Sequence, residues 1–306
     1  MKALVTGGAG FIGSHLVHAL SGQGWEVVVL DNLSTGLRAN LPSDCAMFEG
    51  EAGDNALLDR LLPGCDAIFH LAAVSSVQDS IDRPLVVHDA NLTTTLSLLE
   101  AAARHGVPRF VYSSSAAVYG DTAGQPAREN MIPRPLSHYA VQKLASEHYC
   151  AVYHRLRGLE TVCLRYFNIF GPRQRADSPY SGVIAKFIDA AKAGRPLVIF
   201  GDGGQTRDFC PVSNVVAANM LAATSAPEKV AGGVFNIGLG TSLSVAELAQ
   251  TIAAHHKGCP PPEHHPARTG EITFSQADIS LASRKLGYEP KVDFHSGLAE
   301  LCNPSA

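Results

Sequence analysis

The chain of 306 residues lacks most of the features that mark a special class of protein. It has no run near eighteen apolar residues, which excludes a membrane-spanning helix on sequence grounds. It has no basic block. Its 24 lysines and arginines are outnumbered by 28 aspartates and glutamates, for a formal net charge of −4. Neither nucleic acid nor an anionic membrane surface is therefore an expected partner. Seven cysteines (45, 65, 150, 163, 210, 259 and 302) are scattered with no C-x-x-C. An odd, unpatterned set in a chain of enzyme size reads as reduced core thiols, not disulfides or zinc ligands. His255-His256 and His264-His265 flank Cys259-Pro-Pro-Pro262, but no acid–histidine ligand pattern accompanies them, so solvated loop residues are expected and no metal. A signal-peptide pattern is missing, since an apolar strand begins almost at once. There is no internal repeat and no low-complexity segment. With 46% apolar residues, the chain reads as a cytoplasmic globular protein holding one large domain or two modest ones.

What is present begins at the first thirteen residues, MKALVTGGAGFIG. Ala3 to Thr6 is too short for a helix and reads as a buried strand. Gly7, Gly10 and Gly13 follow, and then an apolar-periodic segment with Phe11, Ile12, Leu16, Val17 and Leu20. Strand, glycine turn and helix is the context that gives such glycines meaning. Gly7 permits the tight turn, Gly10 lets backbone approach a pyrophosphate, and Gly13 lets helix lie on strand; free N–H groups at the helix start then face an anion. A second strand, Glu26 to Leu30, ends at Asp31, eighteen residues after Gly13. An acid there accepts from the adenosine ribose hydroxyls and repels a 2′-phosphate. The expected cofactor is NAD.

Strands are expected at 2–6, 26–30, 45–49, 66–70, 109–114 and 160–166. Helices are expected at 12–23, 54–62, about 85–105 and 136–157. The alternation implies right-handed βαβ units and a parallel sheet. The predicted fold is α/β: a Rossmann-type doubly wound parallel sheet over residues 1–166, which binds NAD, and a smaller mixed α/β substrate domain over 167–306. Some later segments are expected to return to the first domain. After Phe167 the texture changes to Gly171-Pro172, Gly194-Arg-Pro196 and Gly201-Asp-Gly-Gly204, with a further helix at 281–286.

Ligands of such sheets bind at the carboxyl ends of the strands, so chemistry is sought there. Strand four runs into His70-Leu-Ala-Ala73, whose small residues leave room for a cofactor. Strand five ends in a serine run at Ser115. Alone that is an ordinary polar strand end. Tyr139 and Lys143, however, lie near the start of a helix opened by Pro135 and capped by Ser137. At i and i+4 they share a face, about 6 Å apart at Cβ. For tyrosine to act as a base near neutrality its pKa must fall by about 3 units, or about 4 kcal/mol. An adjacent ammonium and the cationic nicotinamide ring could supply that.

At these residues the chain resembles an extended short-chain dehydrogenase/reductase, and within that family it is similar to the UDP-hexose 4-epimerases, most of all those acting on UDP-N-acetylglucosamine. The marks are TGGAGFIG, Asp31-Asn32, His70-Leu-Ala-Ala73, Asn91, Ser115 with Val118-Tyr-Gly120, Tyr139-x-x-x-Lys143, Arg165-Tyr-Phe-Asn168, Gly171-Pro-Arg173 and Arg207-Asp-Phe209. The resemblance covers nearly the whole chain. It implies that Tyr139 is the acid/base on the sugar O4, that Lys143 holds the nicotinamide ribose and lowers the tyrosine pKa, and that Ser115 bonds the same O4. It implies cofactor contacts from Gly7, Gly10, Phe11, Ile12, Gly13, Asp31, Asn32, Glu51, Ala52, Leu71, Ala72, Ala73, Asn91 and Tyr166. It implies substrate contacts from Ser75, Ala116, Asn168, Val183, Arg207, Arg268, Glu271 and Ser275, with the two arginines bracketing the diphosphate. Two positions depart from the pattern: Glu51 stands where the family has an adenine-binding aspartate, and Glu271 where it has a ribose-binding one.

The family's dehydratases and decarboxylases carry an acid soon after the strand-five serine or threonine. Here Ala116-Ala117-Val118 follows Ser115, so the resemblance implies oxidation and re-reduction at C4 through a transient 4-keto sugar, with NAD retained. In epimerases restricted to UDP-glucose and UDP-galactose a tyrosine stands five residues after the glycine corresponding to Gly270. Here that place is Ser275. With small Ala116 and Ser75, this favours interconversion of UDP-GlcNAc and UDP-GalNAc. The alternatives are a UDP-glucose/galactose or UDP-uronic acid epimerase, and more remotely a dehydratase or an NAD-sensing protein that is not an enzyme. Family dimers pair the helices at about 85–105 and 136–157, and a homodimer is expected.

Overall fold

The computed structural model describes residues 1–122, 124–175, 182–256, 258–267 and 272–302. Its centre is a parallel sheet built from β1 (Lys2–Thr6), β2 (Glu26–Asp31), β3 (Ala46–Glu49), β4 (Ala67–His70), β5 (Arg109–Ser115), β6 (Glu160–Tyr166) and a seventh strand, Gly233–Ile237. The spatial order is Gly233–Ile237, β6, β5, β4, β1, β2, β3. Every pairing is parallel, with Val5 opposite Val29 on one side and Phe69 on the other. Strand order reverses between β1 and β4, the switch point at which an open α/β sheet forms its ligand crevice. The strands read as near-continuous apolar runs because both faces are covered.

On one face α1 (Phe11–Gly22) buries Leu16, Val17 and Leu20. On the other lie α2 (Asn55–Leu61), α3 (Val77–Asp82), α4 (Pro84–His88), α5 (Thr94–Arg104) and α6 (His138–Arg157). The apolar sides of α2, α5 and α6 join Leu4, Ile68, Phe110 and Tyr112 in one core cluster. The helix expected at about 85–105 is interrupted. Between α4 and α5 the residues Asp89–Thr93 form a π turn, a local widening that recurs at functional sites. Ser137 caps α6 as expected, its hydroxyl accepting from the Ala140 N–H at 3.2 Å.

Beyond β6 come α7 (Val183–Lys192) and α8 (Val212–Thr224). α7 belongs to a separate core with Phe170, Phe187, Ile199, Leu248 and Phe294. α8 instead joins the cluster that contains Leu16, Val17 and Phe69. Residues after 166 therefore contribute both to the central sheet layer and to a second lobe. All seven cysteines are free. Among the described residues no helix is long and apolar enough to cross a membrane, and no cluster of three His, Cys, Asp or Glu side chains is arranged for a metal.

Candidate active site

The crevice above the switch point is built by backbone first. Gly7 has φ +70°, and a Cβ there would stand 2.6 Å from the Ala72 nitrogen. A Cβ on Gly13 would stand 2.2 Å from the Gly7 carbonyl oxygen. These two glycines are demanded by the protein's own close packing. Gly10 differs: its backbone is extended, and a Cβ would meet only the Gly7 oxygen, at 3.2 Å. Its open side faces the cleft. It is also the N-cap of α1 and gives no side-chain cap, so the first N–H groups of a twelve-residue helix point where an anion would lie. Asp31 is buried, with Oδ2 accepting from the Ala9 N–H at 2.9 Å and Oδ1 from the Leu33 N–H at 2.8 Å. The acid thus ties the glycine loop to β2 while lining the cleft. An uncapped helix end, a glycine cradle and a carboxylate at the end of β2 fit NAD.

The cleft is lined by every cofactor residue expected from the sequence except Asn91: Gly7, Gly10, Phe11, Ile12, Gly13, Asp31, Asn32, Glu51, Ala52, Leu71, Ala72, Ala73, Tyr139, Lys143 and Tyr166. Asn91 sits in the π turn with its side chain turned to protein. It accepts from the Val74 N–H at 2.8 Å and donates to the Val74 carbonyl and to Gln142. It shapes the strand-four loop and does not face the cleft. Glu51 reaches the cleft but accepts both contacts of the Asn32 amide, at 3.1 and 3.2 Å. The longer side chain folds back onto its neighbour. Ser75, expected at the sugar, lies along this cleft instead.

A second cavity begins where the first ends. Ser115, Ala116, Tyr119, Thr122, Tyr166, Asn168, Arg207, Phe274, Ser275 and Gln276 are among its walls. A third, of about 580 Å³, shares Asn168 and Arg207 and adds Val183, Lys186, Phe187, Arg195, Phe200 and Gln205. The three form a series, joined at Tyr166 and then at Asn168 and Arg207. Arg268 and Glu271 lie outside the described residues.

Tyr139 and Ser115 are neighbours at the first junction, near enough for the serine hydroxyl to pull the phenol pKa down. Ser115 ends β5 in extended backbone, and its Oγ accepts the Ala117 N–H at 3.2 Å. Tyr139 is fixed from behind, its N–H donating to Ser80 Oγ at 3.2 Å. Burial pushes the Tyr139 phenol above its usual value, with Ser115 pulling the other way. In the protein alone desolvation is the largest effect on this phenol; the lowering expected from Lys143 was read together with the cationic nicotinamide ring. Lys143 itself is buried, donates from Nζ to the Ser113 carbonyl at 2.7 Å, and lies 5.8 Å from the centre of the Tyr139 ring. Burial lowers its pKa to about 8. Nearby His70 is buried and lowered to about 3. Its two ring nitrogens are taken by Thr6 at 2.8 Å and Thr95 at 2.9 Å, so it is a neutral part of the scaffold.

A family model described as Epimerase, the NAD dependent epimerase/dehydratase family, matches residues 3–238. The chain belongs to the NAD-dependent epimerase/dehydratase family. A UDP-glucose 4-epimerase of Mycolicibacterium smegmatis is 40% identical, over 98% of this chain and 97% of that one. Among solved structures, a UDP-glucose 4-epimerase of Thermotoga maritima with UDP-glucose superposes with a TM-score of 0.95 at 37% identity, covering 99% of this chain and 98% of that one. A UDP-N-acetylglucosamine 4-epimerase of Methanobrevibacter ruminantium, in complex with UDP-N-acetylmuramic acid, gives 0.93 at 38%, covering 99% and 97%. The family's cofactor is NAD, in accord with the fit of the cleft.

Sequence reasoning assigned no role to Asp208, although it stands between Arg207 and Phe209. It is fully buried and accepts from the N–H groups of Leu239, Gly240 and Ala277 at 2.7, 3.0 and 3.1 Å. Burial raises its pKa to about 6 against the pull of those donors. It therefore clamps the segment that follows Ser275 onto the strand that carries Arg207. Its only sequence signal was an acid directly before a short apolar stretch, Phe209 to Pro211.

Proposed function

We propose that the protein interconverts UDP-hexoses at C4, oxidising and re-reducing that carbon within one turnover. One observation carries this reading. Tyr139 faces the dinucleotide cleft, Ser115 faces the next cavity, and the two are neighbours where the cavities meet. A sugar in the second cavity then has its reacting hydroxyl beside a proton acceptor and its C4 toward the cofactor. The third cavity, with Asn168, Val183, Phe200 and Arg207, suits the nucleotide end, and Arg207 suits a diphosphate.

Bound NAD supplies the hydride acceptor at C4 and, once reduced, the donor. Tyr139 takes the O4 proton, with Ser115 bonded to the same oxygen. Lys143 orients the nicotinamide ribose, and its charge opposes the desolvation that raises the phenol. After the 4-keto sugar has turned about its link to the diphosphate, Tyr139 returns the proton to O4 on the opposite side. No acid follows Ser115, so proton abstraction at C5 has no base there. That sets the reading apart from a dehydratase.

For the sugar, Ser275 and Ala116 both line the second cavity and leave room at C2, which favours UDP-GlcNAc and UDP-GalNAc, with the plain hexoses a second pair. Ser75, in the neighbouring cleft, lends no weight. Among the described residues Arg207 is the single cation at the second cavity, and it also donates to the Thr206 and Ile272 carbonyls. A uronic carboxylate thus meets no second cation there among the described residues. The protein also works as a homodimer in this reading. Val77, Ile81, Leu85 and Val86 on α3 and α4, and Val141, Tyr149 and Leu156 on α6, form exposed apolar faces, with Leu85 79% exposed. Tyr153, on the same helix, is buried.

The test is incubation of the purified protein with each UDP-sugar and no added cofactor. Formation of the C4 epimer supports the reading, and bound NAD with no turnover of any UDP-sugar refutes it in favour of an NAD-sensing role.

A further inference from the structure

The three serines at the end of β5 face three residues spaced one turn apart on α6. Ser115 is the neighbour of Tyr139 that pulls its pKa down. The Ser113 carbonyl accepts from Lys143 at 2.7 Å. Ser114 Oγ donates to Glu147 Oε1 at 2.5 Å. Positions 139, 143 and 147 lie at i, i+4 and i+8, on one helix face. The catalytic reading uses the first two and leaves the third unexplained.

Glu147 is 4% exposed and Arg165 on β6 is also 4% exposed. Their pairing is bidentate: Arg165 Nε donates to Oε1 at 2.8 Å and Nη2 to Oε2 at 2.6 Å. The guanidinium lies 4.7 Å from the centre of the Tyr119 ring, and Tyr119 is a wall of the second cavity. A buried ion pair is rarely a gain in stability over apolar residues of similar size, so this one invites a functional explanation.

That explanation follows from the charges around Lys143. An ammonium taken out of water needs a counter-charge. The groups facing it are His70 on β4, Tyr112 on β5, Cys163 on β6, and Tyr139, Glu147 and Cys150 on α6; Arg165, the partner of Glu147, and Tyr166, which lines the same cleft, also stand on β6. His70 is neutral at pH 7, lowered to about 3. Burial pushes Tyr112, Tyr139 and Tyr166 up, and Cys163 is raised by the neighbouring Cys150 thiol and by burial. These are neutral too. Arg165 is a cation. Glu147 is the carboxylate in this set, and it favours the charged form of Lys143.

We infer that Glu147 is a positioning residue for the reaction: fixed by Arg165 and Ser114, it is the buried counter-charge that holds the Lys143 ammonium beneath the Tyr139–Ser115 pair. The inference rests on the epimerase reading, in which a charged Lys143 supports Tyr139. It is tested by the pH profile of kcat, with NAD content recorded for each protein. In the wild type the rate falls as pH rises through about 8, where Lys143 loses its proton. In Glu147→Gln the lost negative charge and the unbalanced Arg165 both disfavour the ammonium, so this limb moves to lower pH by about one unit or more. Glu147→Asp keeps the charge and holds the limb near its wild-type position. Should Glu147→Gln fail to fold with Arg165 unpaired, Glu147→Gln/Arg165→Gln removes both charges. Its limb also moves down, because Glu147 is the charge that acts most strongly to keep Lys143 protonated. An unmoved limb in the folded neutral variant, with only a lower rate or melting temperature, overturns the inference and leaves the epimerase reading intact. A wild type that epimerises no UDP-sugar overturns the reading itself.

Discussion

Gly10 and Gly13 are three residues apart, and the structure predicts that alanine at each fails for a different reason. At Gly13 the added Cβ would lie 2.2 Å from the Gly7 oxygen, 2.8 Å from the Gly8 Cα and 2.9 Å from the Gly7 carbonyl carbon. All three are backbone atoms. Reaching the 3.4 Å of ordinary contact requires about 1.2 Å of separation (3.4 − 2.2) between α1 and the loop. α1 cannot move freely, because Leu16, Val17 and Leu20 are fully buried against the sheet. Overpacking of this kind costs about 1–3 kcal/mol, and each kcal/mol lowers Tm by about 2–4 °C in chains of roughly this size. At Gly10 the backbone is already extended, and the Cβ meets one oxygen at 3.2 Å, a contact relieved by a few tenths of an ångström. Gly10→Ala should therefore melt within about 1 kcal/mol of the wild type once both are stripped of cofactor. It should nevertheless bind NAD at least about tenfold more weakly. Its methyl keeps the pyrophosphate away from N–H groups whose bonds to a charged ligand are worth about 1.5–3 kcal/mol each. The assays are thermal unfolding of the stripped proteins and NAD titration. Gly10→Ala with wild-type NAD affinity, or Gly13→Ala with an unchanged Tm, would refute the assignment of the two glycines.

Two further outcomes are expected. Ser275→Tyr should spare turnover of UDP-glucose and reduce that of UDP-GlcNAc by about a hundredfold or more, the scale set by about 3 kcal/mol of steric exclusion; equal loss of both removes Ser275 as the gate at C2. Leu85→Asp should convert a dimer to a monomer in sedimentation velocity, because a charge on an apolar interface is left without a partner, and a wild type that sediments as a monomer contradicts the dimer.

The parallel sheet and the cofactor site were legible because their signals are local. A glycine turn between an apolar strand and an apolar-periodic helix leaves few alternatives, and Asp31 lies within one βαβ unit of it. The pair Tyr139 and Lys143 was legible because i and i+4 fix a common face. Asn91 was read as a cleft residue, yet a π turn rotates it toward Val74 and Gln142; a single extra residue in a helical turn leaves no mark in apolar periodicity. The burial that raises Tyr139 in the protein alone was not legible, because it depends on tertiary packing, which a two-residue motif does not encode. Asp208 and Glu147 were missed for a related reason. Each works through partners far along the chain, Ala277 for one and Arg165 for the other. The return of α8 and strand Gly233–Ile237 to the first layer is likewise a tertiary fact, although the alternating pattern allowed it.

The central claim is that hydride leaves C4 and returns to C4 without leaving the active site. UDP-glucose carrying deuterium at C4, incubated with the protein and no added cofactor, tests it directly, with Tyr139→Phe as the control. The account predicts UDP-galactose that keeps the deuterium at C4, no accumulation of free NADH, and a rate about 10²- to 10⁴-fold lower in the Tyr139→Phe variant. Label lost from the product, stoichiometric NADH released, or an unimpaired Tyr139→Phe would contradict it.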